Sequence, residues 1–152
     1  MIDHGARAEE LFHKGDNCAQ AVLGAFGDLT GLEEGTAMRL TSSMGGGMGR
    51  LREVCGAVSG MFLAAGLLYG YDDPADRAAK TAHYARIQAL AREFQQENGS
   101  IVCRELLGLS APGGQAPEPE ARTAAYYRKR PCQALVGCAA RILDCYIQSH
   151  PL

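Results

Sequence analysis

The sequence predicts an all-α fold, a compact bundle of short helices interrupted by one Gly-rich loop. Three observations predict it. Apolar residues recur at helical spacing along most of the chain. Leu and Ala dominate while β-branched residues are sparse, a composition that favours helix over sheet. Capping residues and glycine stops bracket each apolar run. At 152 residues, the length suits one domain, spanning 1–152, that can bury a core without disulfide staples.

Each element follows from its residues. Ala8, Leu11 and Phe12 mark a first helix over Ala6 to Lys14, with Gly15 as its stop. Asp16 and Asn17 are caps for a second helix, Cys18 to Phe26. Leu32 to Met44 reads as a weaker helix. The Gly45-Gly46-Gly47-Met48-Gly49 run after it gives up too much backbone entropy to hold regular structure and reads as a loop. A charge-free helix starts near Val54 and runs to about Tyr69, and Asp72-Asp73-Pro74 opens a long helix to about Asn98. Ser100 caps a short segment, Ile101 to Leu107, that ends at Gly108. Ser110 to Ala121, with Pro112, Gly113, Gly114, Pro117 and Pro119, has the composition of a mobile surface loop. Pro131 suits the first position of a last helix, whose stripe is Leu135, Cys138, Ala139, Ile142 and Tyr146.

Composition narrows the function classes. Net charge is −2, and the 15 Lys and Arg are scattered, so no nucleic acid partner is expected. Val54 to Tyr71 lacks charge, but its glycines and the mean hydropathy of −0.13 make it a buried central helix, so no membrane insertion is expected. The N-terminus has no apolar signal core, which places the protein in the reducing cytoplasm and disfavours structural disulfides as the reason for 6 cysteines. Met44 to Gly49 lacks the Lys-Ser or Lys-Thr ending of a phosphate-binding P-loop. Ser42, Ser43 and Ser59 have no nucleophile-elbow context, so a hydrolase is disfavoured. His83, without a second histidine at metal-pair spacing, reads as a boundary residue.

Four cysteines stand apart. Cys18, Cys55, Cys103 and Cys132 each fall in the first turn of a different helix, where unpaired N–H groups and the helix dipole stabilise an anion such as a thiolate. Thiolate is the form that attacks, oxidises or binds metal. Arg50, Arg52, Arg104, Lys129 and Arg130 lie beside these cysteines in sequence and add positive potential. Neither zinc-ribbon nor ferredoxin spacing is present, so the four can converge only through the tertiary fold. Gly56 and Gly60, a small-residue stripe on the helix that Cys55 begins, allow close approach of either a cofactor or a packed backbone. Cys138 and Cys145 share one helical face and read as small core hydrophobes.

Asn17-Cys18-Ala19-Gln20-Ala21-Val22, the Gly45 to Gly49 run, Cys55-Gly56-Ala57-Val58-Ser59-Gly60, Cys103-Arg104-Glu105-Leu106-Leu107-Gly108 and Pro131-Cys132 stand in this order along the chain. Together they resemble the redox-active proteins named for their C, GCAxxG, C, C cysteine pattern. That resemblance implies four signature cysteines, and by position they are the four chosen above. The family is also similar to the non-haem domain of split-Soret cytochromes, which implies an iron–sulfur site; the chain lacks a Cys-x-x-Cys-His attachment sequence, so no haem is expected. Association of some family genes with transporter genes implies a transporter-associated protein as one kind of partner. The leading expectation is an iron–sulfur cluster on Cys18, Cys55, Cys103 and Cys132, serving electron transfer to a redox partner protein or redox sensing, with ligands shared across a homodimer allowed. Two rivals stand beside it. One is a thiol–disulfide oxidoreductase using pairs of these cysteines. The other is a soft-metal or sulfur-binding module.

Overall fold

The computed structural model describes residues 2–111 and 113–152. Among them the chain is helical, with no strand and one isolated antiparallel bridge, Val54 to Val102. Helices α1 (His4–His13), α2 (Cys18–Ala25), α3 (Gly27–Thr30) and α4 (Glu34–Thr41) come first. A 3₁₀ turn, Ser42–Met44, leads into the glycine run. Then follow α5 (Gly56–Tyr69), α6 (Arg77–Asn98), α7 (Cys103–Leu106), α8 (Ala124–Lys129) and α9 (Cys132–Ser149). No helix among the described residues is long and apolar enough to cross a membrane.

The caps explain the boundaries. Asn17 accepts the Gln20 N–H while the Gln20 side chain accepts the Asn17 N–H, a reciprocal box that fixes the start of α2 at Cys18. Asp3 caps α1 and Asp76 caps α6, so α1 begins two residues before the sequence reading and α6 a few residues after Pro74. The expected Leu32–Met44 helix shortens to α4 because Glu33 accepts the N–H groups of Gly35 and Thr36 and fixes the start there. Helices α3 and α8 have no counterpart in the sequence reading; at 4 and 6 residues they are too short to show a periodic stripe.

Packing centres on α2 and α5, with α1 and α9 across from them. Phe12, Phe26, Phe94, Leu23, Met61 and Leu143 are fully buried at the core. Gly60 lets α5 meet α2 closely: a Cβ there would stand 2.7 Å from the Ala19 carbonyl oxygen. One polar device ties the chain ends into this core. His4 is buried, stacks on Phe26, and bonds Asp144 at 2.6 Å and Asp28 at 2.9 Å through its two ring nitrogens. It has no periodic signature, and the sequence reading gave it no role.

The glycine run is irregular, as expected of a loop, but it has one defined path. Gly46, Gly47, Met48, Gly49 and Arg50 have consecutive φ values of 67°, 69°, 69°, 60° and 66°, so the chain makes a left-handed turn, and Arg52 returns to φ 60°. The turn is closed by the Arg52 N–H to the Gly46 carbonyl and the Glu53 N–H to the Gly47 carbonyl. Left-handed backbone costs an L-residue about 1–2 kcal/mol. Glycine carries most of the turn at no such cost, while Met48, Arg50 and Arg52 bear it.

Candidate redox site

The four signature cysteines converge on one cavity of about 420 Å³. Cys18, Cys103 and Cys132 are the first residues of α2, α7 and α9, and Cys55 is the residue that caps α5, so the helix-start placement read from sequence is the placement in the structure. Cys55, Cys103 and Cys132 are 5%, 8% and 9% exposed, and Cys18 is partly buried. Two glycines bring backbone against sulfur-bearing side chains. A Cβ on Gly56 would stand 2.9 Å from the Cys18 Cβ, and one on Gly47 would stand 2.6 Å from the Cys103 Cβ. Gly56 lines the cavity; Gly60 does not, and its part is the α2–α5 contact.

The electrostatics differ from cysteine to cysteine. Burial pushes the Cys55 thiol up to about 12, although the Ala57 and Val58 N–H groups at the start of α5 point at it and oppose the shift. Cys18 and Cys132 face each other and compete for one proton. Cys18 keeps it and is raised well above the usual thiol range, an effect that burial reinforces. Cys132 falls to about 7, first because Cys18 donates to it, and further because Arg130, Arg52 and Arg122 supply positive potential, against the opposing effect of burial. All four cysteines stand at helix starts around the cavity, but burial outweighs the helix terminus at Cys55. A direct thiol donor, which sequence cannot show, decides Cys132.

Arginines define the rest of the wall. Arg50, Arg52, Arg122 and Arg130 line the cavity against one carboxylate among the described residues, Glu120, which pairs with Arg130. Arg52 is buried, donating to the Gln115 side-chain oxygen at 2.9 Å and to the Cys103 sulfur at 3.4 Å. Arg122 lies over the Phe12 ring and donates to the Phe12 and Asp16 carbonyls at 2.9 Å each. Arg104 turns away, toward Glu53 and the Arg52 carbonyl, and Lys129 does not line the cavity. Part of the expected surface loop Ser110 to Ala121, from Gln115 onward, lies against the site together with Arg122. Gln115 and Ala116 bond Arg50 and Arg52, and Pro117, Pro119 and Glu120 line the cavity. Arg122 and Gln115 went unnoticed in the sequence because they reach the site from a segment without periodicity.

The donor set bears on what the cavity can hold. Among the described residues, no three Cys, His, Asp or Glu side chains are grouped as a single metal ion requires. A mononuclear thiolate site needs all its sulfurs about 2.3 Å from one centre. A polynuclear cluster spreads its thiolates over several irons and suits sulfurs set wider around a cavity.

Cys138 and Cys145 stay outside the site, as expected, but they are not both core. Cys145 is exposed. Cys138 is half-buried, donates to Glu97 at 2.9 Å, and is pushed up to about 11 chiefly by burial, then by that carboxylate. Their helical face borders a groove between α6 and α9 rather than the centre of the bundle, which corrects the sequence reading. Cys145→Ala should therefore change stability by no more than about 0.5 kcal/mol in a urea titration. His83 is half-buried beside Arg86, and burial first, then Arg86, holds it below the usual histidine range.

The thiol energetics give a direct test. In metal-free reduced protein, alkylation by a small neutral reagent followed by peptide mass mapping should modify Cys132 slowly, because it is 9% exposed, with a midpoint near pH 7 and a rate falling about tenfold per unit below it as the thiolate is lost. Cys55 should stay unmodified through pH 10. Equal rates for the two at pH 7 would contradict the burial and pairing described.

Fold and site together define an all-helical protein whose four cysteines, distant in sequence, share one arginine-lined cavity. A family model described as "Putative redox-active protein (C_GCAxxG_C_C)" matches residues 16–146, and the chain belongs to that family. No curated protein matches the chain, and no solved structure does.

Proposed function

We propose that the protein is an electron-transfer or redox-sensing protein that holds an iron–sulfur cluster through Cys18, Cys55, Cys103 and Cys132. The observation that carries this reading is the convergence of all four on one cavity. Thiol exchange uses cysteines in pairs and needs one sulfur accessible to a substrate disulfide. Here four cysteines line one cavity, and three of them are 9% exposed or less. The wall also fits an anionic group: four arginines against one carboxylate would offset the charge of a thiolate-ligated cluster. When bound, such a cluster supplies a reversible one-electron couple. The chain's own residues do the rest. Gly47 in the left-handed turn and Gly56 bring the backbone against Cys103 and Cys18, Pro117, Pro119 and Glu120 complete the cavity wall, and burial limits oxygen and water at Cys55, Cys103 and Cys132.

A second reading, the thiol–disulfide oxidoreductase, is favoured by one specific observation. Cys18 and Cys132 face each other with their acidities driven apart, the arrangement of an attacking and a resolving thiol. One preparation separates the two. Protein purified without oxygen from iron-replete cells should be brown, with iron and acid-labile sulfide in comparable amounts. A colourless, iron-free protein that forms a Cys18–Cys132 disulfide on mild oxidation would replace the first reading with the second.

A further inference from the structure

Arg52 stands out once the cavity is described. Arg52 and His4 are the two charge-bearing side chains in the buried set, but His4 is held between Asp28 and Asp144, whereas no carboxylate among the described residues pairs with Arg52. A buried guanidinium without a counter-charge is costly unless an anion offsets it. Its backbone is also held at φ 60°, a conformation an arginine adopts only at a cost, and the left-handed turn before it imposes that. Two bonds aim the side chain. Nε donates to the Gln115 oxygen at 2.9 Å, and Nη1 donates to the Cys103 sulfur at 3.4 Å. Arg50, Arg122 and Arg130 also line the cavity, but each has its main bond elsewhere: Arg50 to the Ala116 carbonyl, with a longer bond of 3.4 Å to the same Gln115 oxygen, Arg122 to two backbone carbonyls, Arg130 to Glu120.

We infer that Arg52 is a positioning residue that sets the reduction potential of the four-cysteine centre, through its charge and its N–H bond to the Cys103 sulfur. A reduced centre carries more negative charge at its sulfurs than an oxidised one, so a fixed cation and an N–H donor stabilise the reduced form and raise the potential. The inference rests on the redox centre proposed above, but the sign is the same for either chemistry. With a cluster, one electron enters from a chemical reductant such as dithionite and no bond breaks. With a dithiol, two electrons and one proton from a small dithiol reductant convert the Cys18–Cys132 disulfide above pH 7 to a Cys18 thiol and a Cys132 thiolate, which Arg52 stabilises through its charge alone; the reductant becomes its own disulfide and its second proton goes to solvent.

The experiment is a potentiometric titration of the anaerobically purified protein and its R52Q, R52K and Q115A variants, with iron content and circular dichroism measured on each. R52Q should disfavour reduction by at least about tenfold in the equilibrium constant, which is about 59 mV for a one-electron couple. R52K should restore most of that loss, and Q115A, which keeps the charge but removes the bond that aims it, should shift the potential less and in the same direction. An unchanged potential in R52Q with full iron content, or a shift in R52K as large as in R52Q, would overturn the inference. If R52Q fails to fold, Q115A decides, and an unshifted Q115A overturns it. Should the protein prove iron-free, the cluster reading fails on its own, and the same variants are equilibrated with a dithiol buffer. A tenfold change there is about 30 mV, and its absence overturns the role of Arg52 separately.

Discussion

Anaerobically purified Cys103→Ser and Cys132→Ser proteins should each lose bound iron by at least about 100-fold relative to the native chain, while far-ultraviolet circular dichroism stays unchanged. The magnitude follows from comparison with outer-shell changes, which typically cost about 10–100-fold in metal affinity, so losing a direct sulfur ligand should cost no less. Serine keeps the size of the side chain but replaces a soft thiolate with a hydroxyl that holds its proton at neutral pH. The fold should survive because each residue opens a helix at the cavity and serine nearly keeps the volume, including at Cys132, which also packs against the core. The pair of variants also discriminates. Under the thiol-exchange reading, Cys132 is indispensable through its contact with Cys18, whereas Cys103, held by Arg52, would be dispensable. Loss of iron from Cys132→Ser alone, with Cys103→Ser unaffected, would mean that the four cysteines do not act as one ligand set.

The part of this site that depends on helix boundaries was legible in the sequence. Caps and stops such as Asn17 before Cys18 and Pro131 before Cys132 are local signals, so placing the cysteines at helix starts needed no tertiary information. What was not legible depends on contacts between distant segments. Arg122 enters from a Pro-rich segment, Gln115 reaches across to Arg52, and the hydrogen bond that Cys18 donates to Cys132 forms only because α2 and α9 begin side by side. Cys145 fails for the opposite reason. Its spacing from Cys138 puts it on an apolar stripe, but that stripe outlasts the core, and its last turns face solvent. The glycine run was half legible. Composition excluded an ordinary helix, but a left-handed turn and a flexible loop have the same composition and differ only in whether the carbonyls find partners.

That turn gives the largest effect expected of a substitution outside the cysteines. Gly47→Ala should destabilise the protein by about 2–5 kcal/mol in urea titration, from two independent costs. The first is conformational: at φ 69° an alanine meets the left-handed penalty of about 1–2 kcal/mol that glycine avoids. The second is steric, because the new Cβ would stand 2.8 Å from both the Arg52 Cα and the Glu53 nitrogen and 2.6 Å from the Cys103 Cβ. Two of these neighbours are backbone and cannot rotate away, and overpacking of this kind adds about 1–3 kcal/mol. The relief available is to displace the turn, which would carry Arg52 away from the Cys103 sulfur and open the cavity wall that Gly47 forms. Gly49→Ala is the matched control. It has a similar φ of 60°, but its nearest neighbour is the Ser43 carbonyl oxygen at 3.9 Å, so it carries only the conformational cost and should lose about 1–2 kcal/mol. If the two variants are equally destabilised, Gly47 is required only for its backbone angle and the close approach to Cys103 is not a constraint. A larger loss in Gly47→Ala, accompanied by lost iron, would show that the turn and the redox site are one mechanical unit.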